Sequence, residues 1–219
     1  MTASRFPPTN LGFVSTKSAE ELCALAQELE QDAARYPDER GEILLEAAHQ
    51  WESAGQVDQA VALLREVLTL GGEDAGFARY SLAELCFKQS ADSDAWEHLR
   101  ALDEMGPTST GPAALVGELL EERGEYEAAA HWFDRAIETV DLEAIAKPGA
   151  GPSLAAMPLF GRQRCRAKLG LPVDEVDRVA DSAREQGRVH SWPPGRNQMC
   201  WCGSERKYKK CCGAPATAR

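Results

Sequence analysis

Residues 41–70 read GEILLEAAHQWESAGQVDQAVALLREVLTL, and this stretch decides the fold. Apolar side chains recur every three or four residues on both sides of Gly55, which is the spacing of one helical face. The glycine interrupts the pattern and favours a tight turn. The stretch therefore predicts two helices, each with an apolar face: Leu44, Ala47, Ala48 and Trp51 on the first, and Val57, Ala60, Leu64 and Val67 on the second.

The same pattern returns around Gly124 in PAALVGELLEERGEYEAAAHWFDRAI, residues 112–137. Large residues such as Trp51 and Phe133 are expected to fill the space beside small ones. Small side chains let two antiparallel helices approach each other closely. They take matching places in the two copies, in the pairs Ala48/Gly117 and Ala60/Ala129.

Weaker copies surround these two. One lies between them, at residues 78–107, and its turn is one residue longer by this alignment. Residues 154–169 and 173–185 predict a further helix pair that matches the pattern poorly. Residues 143–153, EAIAKPGAGPS, are rich in glycine and proline and predict a loop.

The paired helices resemble tetratricopeptide repeats, which are helix–turn–helix units of about 34 residues. The resemblance is good over residues 41–141 and weaker on both sides. One such pair cannot bury its own apolar face, so the resemblance implies an all-α solenoid of stacked pairs. Residues 18–35 predict an additional N-terminal helix, with Ser18 as N-cap and Glu21 at the capping-box position.

The composition fits a soluble globular protein, with 43% hydrophobic and 27% charged residues. No apolar run approaches membrane-spanning length, so we expect no membrane insertion. The predicted segments are an N-terminal extension (1–17), a repeat domain (18–186), a linker (187–194), a small zinc-binding module (195–213) and a disordered tail (214–219).

Four of the seven cysteines, Cys200, Cys202, Cys211 and Cys212, lie close together near the C-terminus. Residues 195–213 have few aliphatic side chains, so a hydrophobic core cannot order them. Four thiolates can surround one tetrahedral cation, and a structural Zn²⁺ supplies about 10–16 kcal/mol of folding free energy in small zinc modules. The spacing predicts one structural zinc ion, and iron is the main competitor for an all-thiolate site.

Disulfide and redox chemistry are the rival interpretations of this cluster. Disulfides are typical of secreted chains, and no stretch of this sequence is typical of a signal peptide. The first two cysteines are also too close together for the C-x-x-C redox motif. The other cysteines, Cys23, Cys86 and Cys165, are expected to be buried thiols, as in a reducing cytoplasm.

The tail resembles the SEC-C motif, a zinc-binding segment found at the C-terminus of the SecA translocation ATPase and in many bacterial proteins. The usual proline, proline and glycine are replaced by Met199, Trp201 and Glu205, and Cys212 stands where many members have histidine. The resemblance implies zinc binding and, in some members, contact with the SecB chaperone or the ribosome. It covers 19 residues and depends on GRN at 195–197, CGS at 202–204, KYK at 207–209 and CCG at 211–213.

Basic residues are concentrated in the same tail. Residues 193–219 hold six basic residues and one acid, a formal charge of +5, and because the whole chain carries −11, the remainder carries −16. These cations either neutralise the metal cluster or bind phosphate or an acidic protein face. The candidate partner-binding residues are Arg196, Arg206, Lys207, Tyr208, Lys209 and Lys210.

A second basic stretch and an acidic groove are the remaining candidates. The helix from Arg162 to Lys168 either pairs with acidic helices or extends a nucleic-acid surface. The repeat resemblance implies that the first helix of each pair lines a concave groove. The exposed glutamates of this groove either belong to solvated helix faces or bind a basic or amphipathic segment. The implied groove residues are Glu42, His49, Glu52, Arg79, Cys86, Glu118, Glu121 and Glu122.

No catalytic constellation is present in the sequence. It contains no Walker loop or G-x-S-x-G motif, and its four histidines are far apart. A closed four-thiolate site also leaves no position open for water. We therefore expect a cytoplasmic bacterial adaptor that is not an enzyme and binds protein partners, with links to export, chaperones or ribosomes. The alternative is an RNA- or ribosome-associated protein that uses the basic tail and the Arg162–Lys168 helix.

Overall fold

The computed structural model of the protein describes residues 17–106, 110–146 and 154–185. Every regular element in these ranges is helical and no strand occurs in them, which confirms the all-α prediction for this part of the chain. None of the helices found there is long and apolar enough to cross a membrane. The predicted linker, zinc module and tail, residues 187–219, lie outside the described ranges.

Short turns join the α-helices of the described ranges. Single 3-10 turns precede the second and ninth helices, at Pro37–Glu39 and Leu154–Ala156. The chain divides into two compact units between Leu82 and Ala83. The helices are α1 (Ala19–Arg35), α2 (Arg40–Ser53), α3 (Val57–Leu70), α4 (Gly72–Lys88), α5 (Asp92–Glu104), α6 (Thr110–Glu122), α7 (Tyr126–Ile137), α8 (Leu142–Ala146), α9 (Met157–Lys168) and α10 (Glu175–Glu185).

Helix α1 begins where the sequence predicts. The backbone N–H of Glu21 donates to Ser18 Oγ at 3.2 Å, and the backbone N–H of Ser18 donates to Glu21 Oε2 at 2.6 Å. This reciprocal pair satisfies two of the amide groups that a helix N-terminus leaves without a partner. The predicted N-terminal helix and its capping box are both confirmed.

One three-residue turn recurs along the chain. It joins α2 to α3, α4 to α5 and α6 to α7. Its middle residue has a positive φ each time, 78° at Gly55, 60° at Ser90 and 80° at Gly124, and these residues are spaced 35 and 34 positions apart. In each turn the next amide donates to the carbonyl five residues earlier: Gln56 to Trp51, Ala91 to Cys86 and Glu125 to Leu120.

The prediction of a longer second turn is wrong, because all three turns have the same length. Ser90 adopts the left-handed conformation for which glycine is the usual residue. The sequence therefore lacks the glycine that marks this turn in the other two copies. The residue four positions after the end of the turn is a fully buried alanine in every case: Ala60, Ala95 and Ala129.

In the first unit, α2 packs against both α1 and α3. The indole N–H of the buried Trp51 donates to Glu30 Oε1 of α1 at 2.8 Å, which satisfies the one polar atom of that side chain. Arg40 at the start of α2 pairs with Glu66 of α3. Helix α2 is therefore held to its two neighbours by polar contacts as well as by its apolar face.

In the second unit, α7 packs against α6 on one side and α9 on the other. Phe133 of α7 is 1% exposed, and its ring occupies the space that side chains at Gly117 and Gly161 would need. A Cβ atom at Gly117 would lie 2.7 Å from the ring. The expectation that small residues permit close helix packing is confirmed at Gly117, and Gly161 of α9 extends it to a third helix.

Helix α8 corrects the prediction of a loop over residues 143–153. Residues 143–146 are helical, and residues 147–153 lie outside the described ranges. Asp141 starts the helix, because its Oδ1 accepts the backbone N–H of Ala144 at 2.9 Å. Ile145 then joins a buried apolar cluster with Leu159 and Phe160 of α9. This tertiary contact stabilises a helix too short to persist by itself.

Candidate functional site

The predicted metal ligands and tail contacts all lie outside the described residues. The four tail cysteines as ligands, and the tail as a contact surface, therefore stay predictions. Within residues 17–106, 110–146 and 154–185, no group of three or more His, Cys, Asp or Glu side chains could hold a metal ion. The predicted metal ligands outside these ranges are Cys200, Cys202, Cys211 and Cys212, and the predicted tail contacts are Arg196, Arg206, Lys207, Tyr208, Lys209 and Lys210.

The three cysteines of the helical part are not disulfide-bonded. Cys165 is fully buried, as expected, whereas Cys23 and Cys86 are half-buried. Burial, together with the nearby carboxylate of Glu121, raises the pKa of the Cys165 thiol to about 11. A thiol this weakly acidic and this inaccessible is a packing residue rather than a nucleophile.

Three predicted groove residues, Glu118, Glu121 and Glu122, lie near the C-terminal end of α6. Glu121 accepts two hydrogen bonds from Arg164 of α9, from Nε to Oε1 at 2.7 Å and from Nη2 to Oε2 at 2.6 Å. This two-point contact raises the pKa of Arg164. Partial removal from water raises the pKa of Glu118, which Arg164 opposes. Helix α9 thus neutralises part of the acidic face that the sequence predicts.

The other predicted groove residues lie on α2 and α4 in different surroundings. Glu42 and His49 are exposed, whereas Glu52, Arg79 and Cys86 are half-buried. Among the described residues, none of these five belongs to a group that could hold a metal ion. Their role in binding a partner therefore stays a prediction.

The recurrent turn shows which residues of α2, α4 and α6 occupy equivalent positions in the sequence. Measured from the middle residue of each turn, His49 and Glu118 correspond to Glu84 of α4. The sequence alignment missed Glu84 because it did not recognise Ser90 as the turn residue. The two residues chosen instead correspond to buried positions of α2: Arg79 to Leu44, and Cys86 to Trp51.

The basic helix α9 pairs its arginines with carboxylates. Arg162 donates from Nη2 to Asp174 Oδ2 at 2.6 Å and from Nη1 to Asp177 Oδ1 at 3.0 Å, and its Nε pairs with Asp134 of α7. Arg166 donates from Nε to Asp177 Oδ2 at 3.2 Å. Because Arg164 also pairs with Glu121, three of the four basic residues of this helix are in ion pairs: Arg162, Arg164 and Arg166. Structural pairing, one of the two interpretations of this helix, is confirmed for these arginines.

The centre of this arginine–aspartate cluster is buried. Arg162 is 6% exposed and Asp177 is 3% exposed. Desolvation alone would lower the pKa of Arg162, but hydrogen bonds to Asp174 and Asp134 outweigh it and raise the pKa. The same hydrogen bond from Arg162 holds the pKa of Asp174 well below its ordinary range. Both partners are therefore ionised at neutral pH.

Sequence reasoning missed Asp174 and Asp177. The backbone N–H of Asp177 donates to Asp174 Oδ1 at 3.0 Å, and the backbone N–H of Asp174 donates to Asp177 Oδ2 at 3.1 Å. This is a capping box built from two aspartates, and it begins α10. The D-x-x-D pattern before an apolar-periodic stretch was the available signal.

Comparison with known proteins matches the tail to a family model and a longer part of the chain to a relative. The SEC-C motif family model matches residues 196–214, a range that contains all four tail cysteines. This confirms the SEC-C resemblance. Over 164 residues the chain is 28% identical to the protein translocase subunit SecA of Beijerinckia indica subsp. indica. The match covers 74% of this chain and 14% of that relative, so the chain spans about one seventh of the relative's length.

Proposed function

We propose that this protein is a non-catalytic adaptor that binds zinc through its SEC-C tail and protein partners through its helices. The match of the SEC-C family model to residues 196–214 carries the proposal. The similarity to a SecA subunit supports a link to protein export. The repeated helix–turn–helix units support a tetratricopeptide-like stack, a fold that presents an extended surface to partners.

The donor set of the tail fits a structural zinc ion. Four cysteines lie within 13 residues, from Cys200 to Cys212. Four thiolates complete a tetrahedral site, which leaves no position for a water nucleophile, so the metal holds the tail in shape. Iron is the alternative occupant of the same donors. On this proposal the protein is not an enzyme.

Charge favours a basic or amphipathic partner for the helical part. The chain outside the basic tail carries a formal charge of −16. Glu42 and His49 on α2 and Glu118 and Glu122 on α6 are exposed and available for contact. Glu121 contributes less negative charge because Arg164 pairs with it.

RNA or ribosome binding is the second candidate function, and the +5 formal charge of residues 193–219 favours it. The ion pairs of Arg162, Arg164 and Arg166 weaken the part of this hypothesis that used α9, because those guanidinium groups already have carboxylate partners. RNA binding would then depend on the tail alone. Its affinity for a ribosomal RNA fragment would fall steeply with added salt.

Metal analysis and affinity capture test the adaptor proposal. We expect one zinc ion per chain, lost in Cys200→Ser/Cys202→Ser and retained in the matched control Cys23→Ser/Cys86→Ser. Partners captured by the wild type and control but not by the tail variant bind the tail, and those captured by all three bind the helices. A purified chain without bound metal, or a chelator that abolishes the far-UV helical signal, would contradict the modular proposal.

A further inference from the structure

Helix α10 contacts the rest of the second unit through small or half-buried apolar side chains and through polar groups. Its fully buried apolar residues are two alanines, Ala180 and Ala183, and its third buried residue is Asp177. Val176 and Val179 are only half-buried against the apolar cluster of α8 and α9. Little apolar surface therefore holds this helix in place.

Ion pairs and hydrogen bonds hold α10 at both ends. At its start, Asp174 and Asp177 accept from the buried Arg162 and the half-buried Arg166 of α9. Toward its end, Gln163 Nε2 of α9 donates to Asp181 Oδ1 at 2.8 Å. Arg184 donates from Nη2 to Gln163 Oε1 at 2.8 Å and lies 5.0 Å above the Phe160 ring.

The start of α10 and its docking use the same two carboxylates. Asp174 and Asp177 cap the first turn by exchanging backbone hydrogen bonds. They also bind Arg162 and Arg166. If α10 leaves α9, its capping carboxylates lose their cations and repel each other. An eleven-residue helix is also marginal in isolation, so undocking and unwinding are coupled.

Helix α9 differs, because it is interlocked with α7. Gly161 lies against the ring of Phe133, and Pro158, Leu159 and Cys165 of α9 are fully buried. The packing of α9 against α7 is also more extensive than that of α10 against α9. Helix α10 is therefore attached less extensively to α9 than α9 is to α7.

We infer that α10 is a latch that undocks and unwinds while α6, α7 and α9 stay folded. Opening uncovers the apolar face formed by Ile145, Leu159 and Phe160. The inference does not depend on metal binding by the tail.

Native-state hydrogen exchange of the full-length protein tests the latch. In low denaturant, α10 amides should exchange at least about tenfold faster than those of α7, and with a weaker dependence on denaturant, since a local opening exposes little surface. Equal rates and equal denaturant dependence in α10 and α7 would overturn the inference. Because this measurement uses the wild type, it does not depend on whether any variant folds.

A substitution adds a second test. Arg166→Gln removes the outer of the two arginines, and it should speed exchange in α10 and tryptic cleavage after Arg178 while leaving α6 and α7 unchanged. The matched control Arg100→Gln removes an exposed arginine of α5 and should change neither. An Arg166→Gln variant that speeds exchange equally in α6, α7 and α10 would show that α10 has no separate opening.

Discussion

The ring of Phe133 on α7 occupies the position where a Cβ atom of residue 161 on α9 would lie, so glycine is the residue that fits there. Phe133 is 1% exposed and also touches the Gly117 position of α6. Three helices thus meet at one aromatic side chain. Because the ring is enclosed on two sides by backbone, it has little room to move when either glycine gains a side chain.

Gly161→Ala should destabilise the second unit by about 1–3 kcal/mol, the usual cost of adding volume to a packed core. Urea unfolding followed by circular dichroism measures this free energy. Replacing the ring as well, in Gly161→Ala/Phe133→Leu, should relieve the clash. The double variant should therefore lose less stability than the sum of the losses of the two single variants. A variant Gly161→Ala with wild-type stability would show that α9 can shift away from the ring.

Ser90→Gly should stabilise the protein by about 0.5–1 kcal/mol. Ser90 has φ of 60°, and this left-handed conformation costs an L-residue about 1–2 kcal/mol that glycine does not incur. Glycine also has more conformational freedom in the unfolded chain, and this entropy offsets part of the gain in stability. Thermal unfolding of the variant checks this. Ser93→Gly, in the first turn of α5, is the matched control and should destabilise. Equal shifts of the same sign would contradict the argument.

Acid should remove the stability that Asp174 contributes. Its pKa is lowered in the folded state, so the contribution is complete above the unfolded pKa of about 3.9 and is lost as pH falls toward the lower folded value. Wild type and Asp174→Asn should therefore differ most in unfolding free energy at pH 5–7, and the difference should narrow progressively as pH falls below about 4. Urea titrations across this range measure the difference, and a gap that stays constant would contradict it.

Cys165 should resist alkylation in the folded protein. Its side chain is fully buried, and at a pKa of about 11 only about 0.1% of the thiol is ionised at pH 8. Iodoacetamide labelling followed by peptide mass spectrometry should modify the half-buried Cys23 at least about tenfold faster. Denaturant should remove the difference. Equal labelling of both thiols under native conditions would show that α9 opens readily.

The helices and their buried faces could be predicted from local patterns. Apolar spacing identified Leu44 and Trp51 on α2, and Ser18 with Glu21 identified the start of α1, since both signals act within a few residues. The turn at Ser90 was missed because serine rarely adopts a positive φ. Helix α8 was missed because its stability depends on packing Ile145 against α9.

The site could be predicted only as residue types. The cysteine spacing and the CGS and CCG segments identified the SEC-C tail, and the family model matches residues 196–214. The partners of α9 were beyond local reasoning, because Asp174 and Asp177 approach Arg162 from another helix and Glu121 approaches Arg164 across 43 positions of sequence. Nothing in the spacing of the arginines indicates which carboxylates fold next to them.

The sequence by itself determined the helical class, the turns at Gly55 and Gly124 and the four-cysteine tail, because each depends on side chains close together along the chain. The tertiary structure alone decided that three arginines of α9 are paired, that Phe133 requires glycine at residue 161, and that Asp174 and Asp177 both cap and dock α10. These features depend on distances between helices, which arise only when the apolar faces have packed.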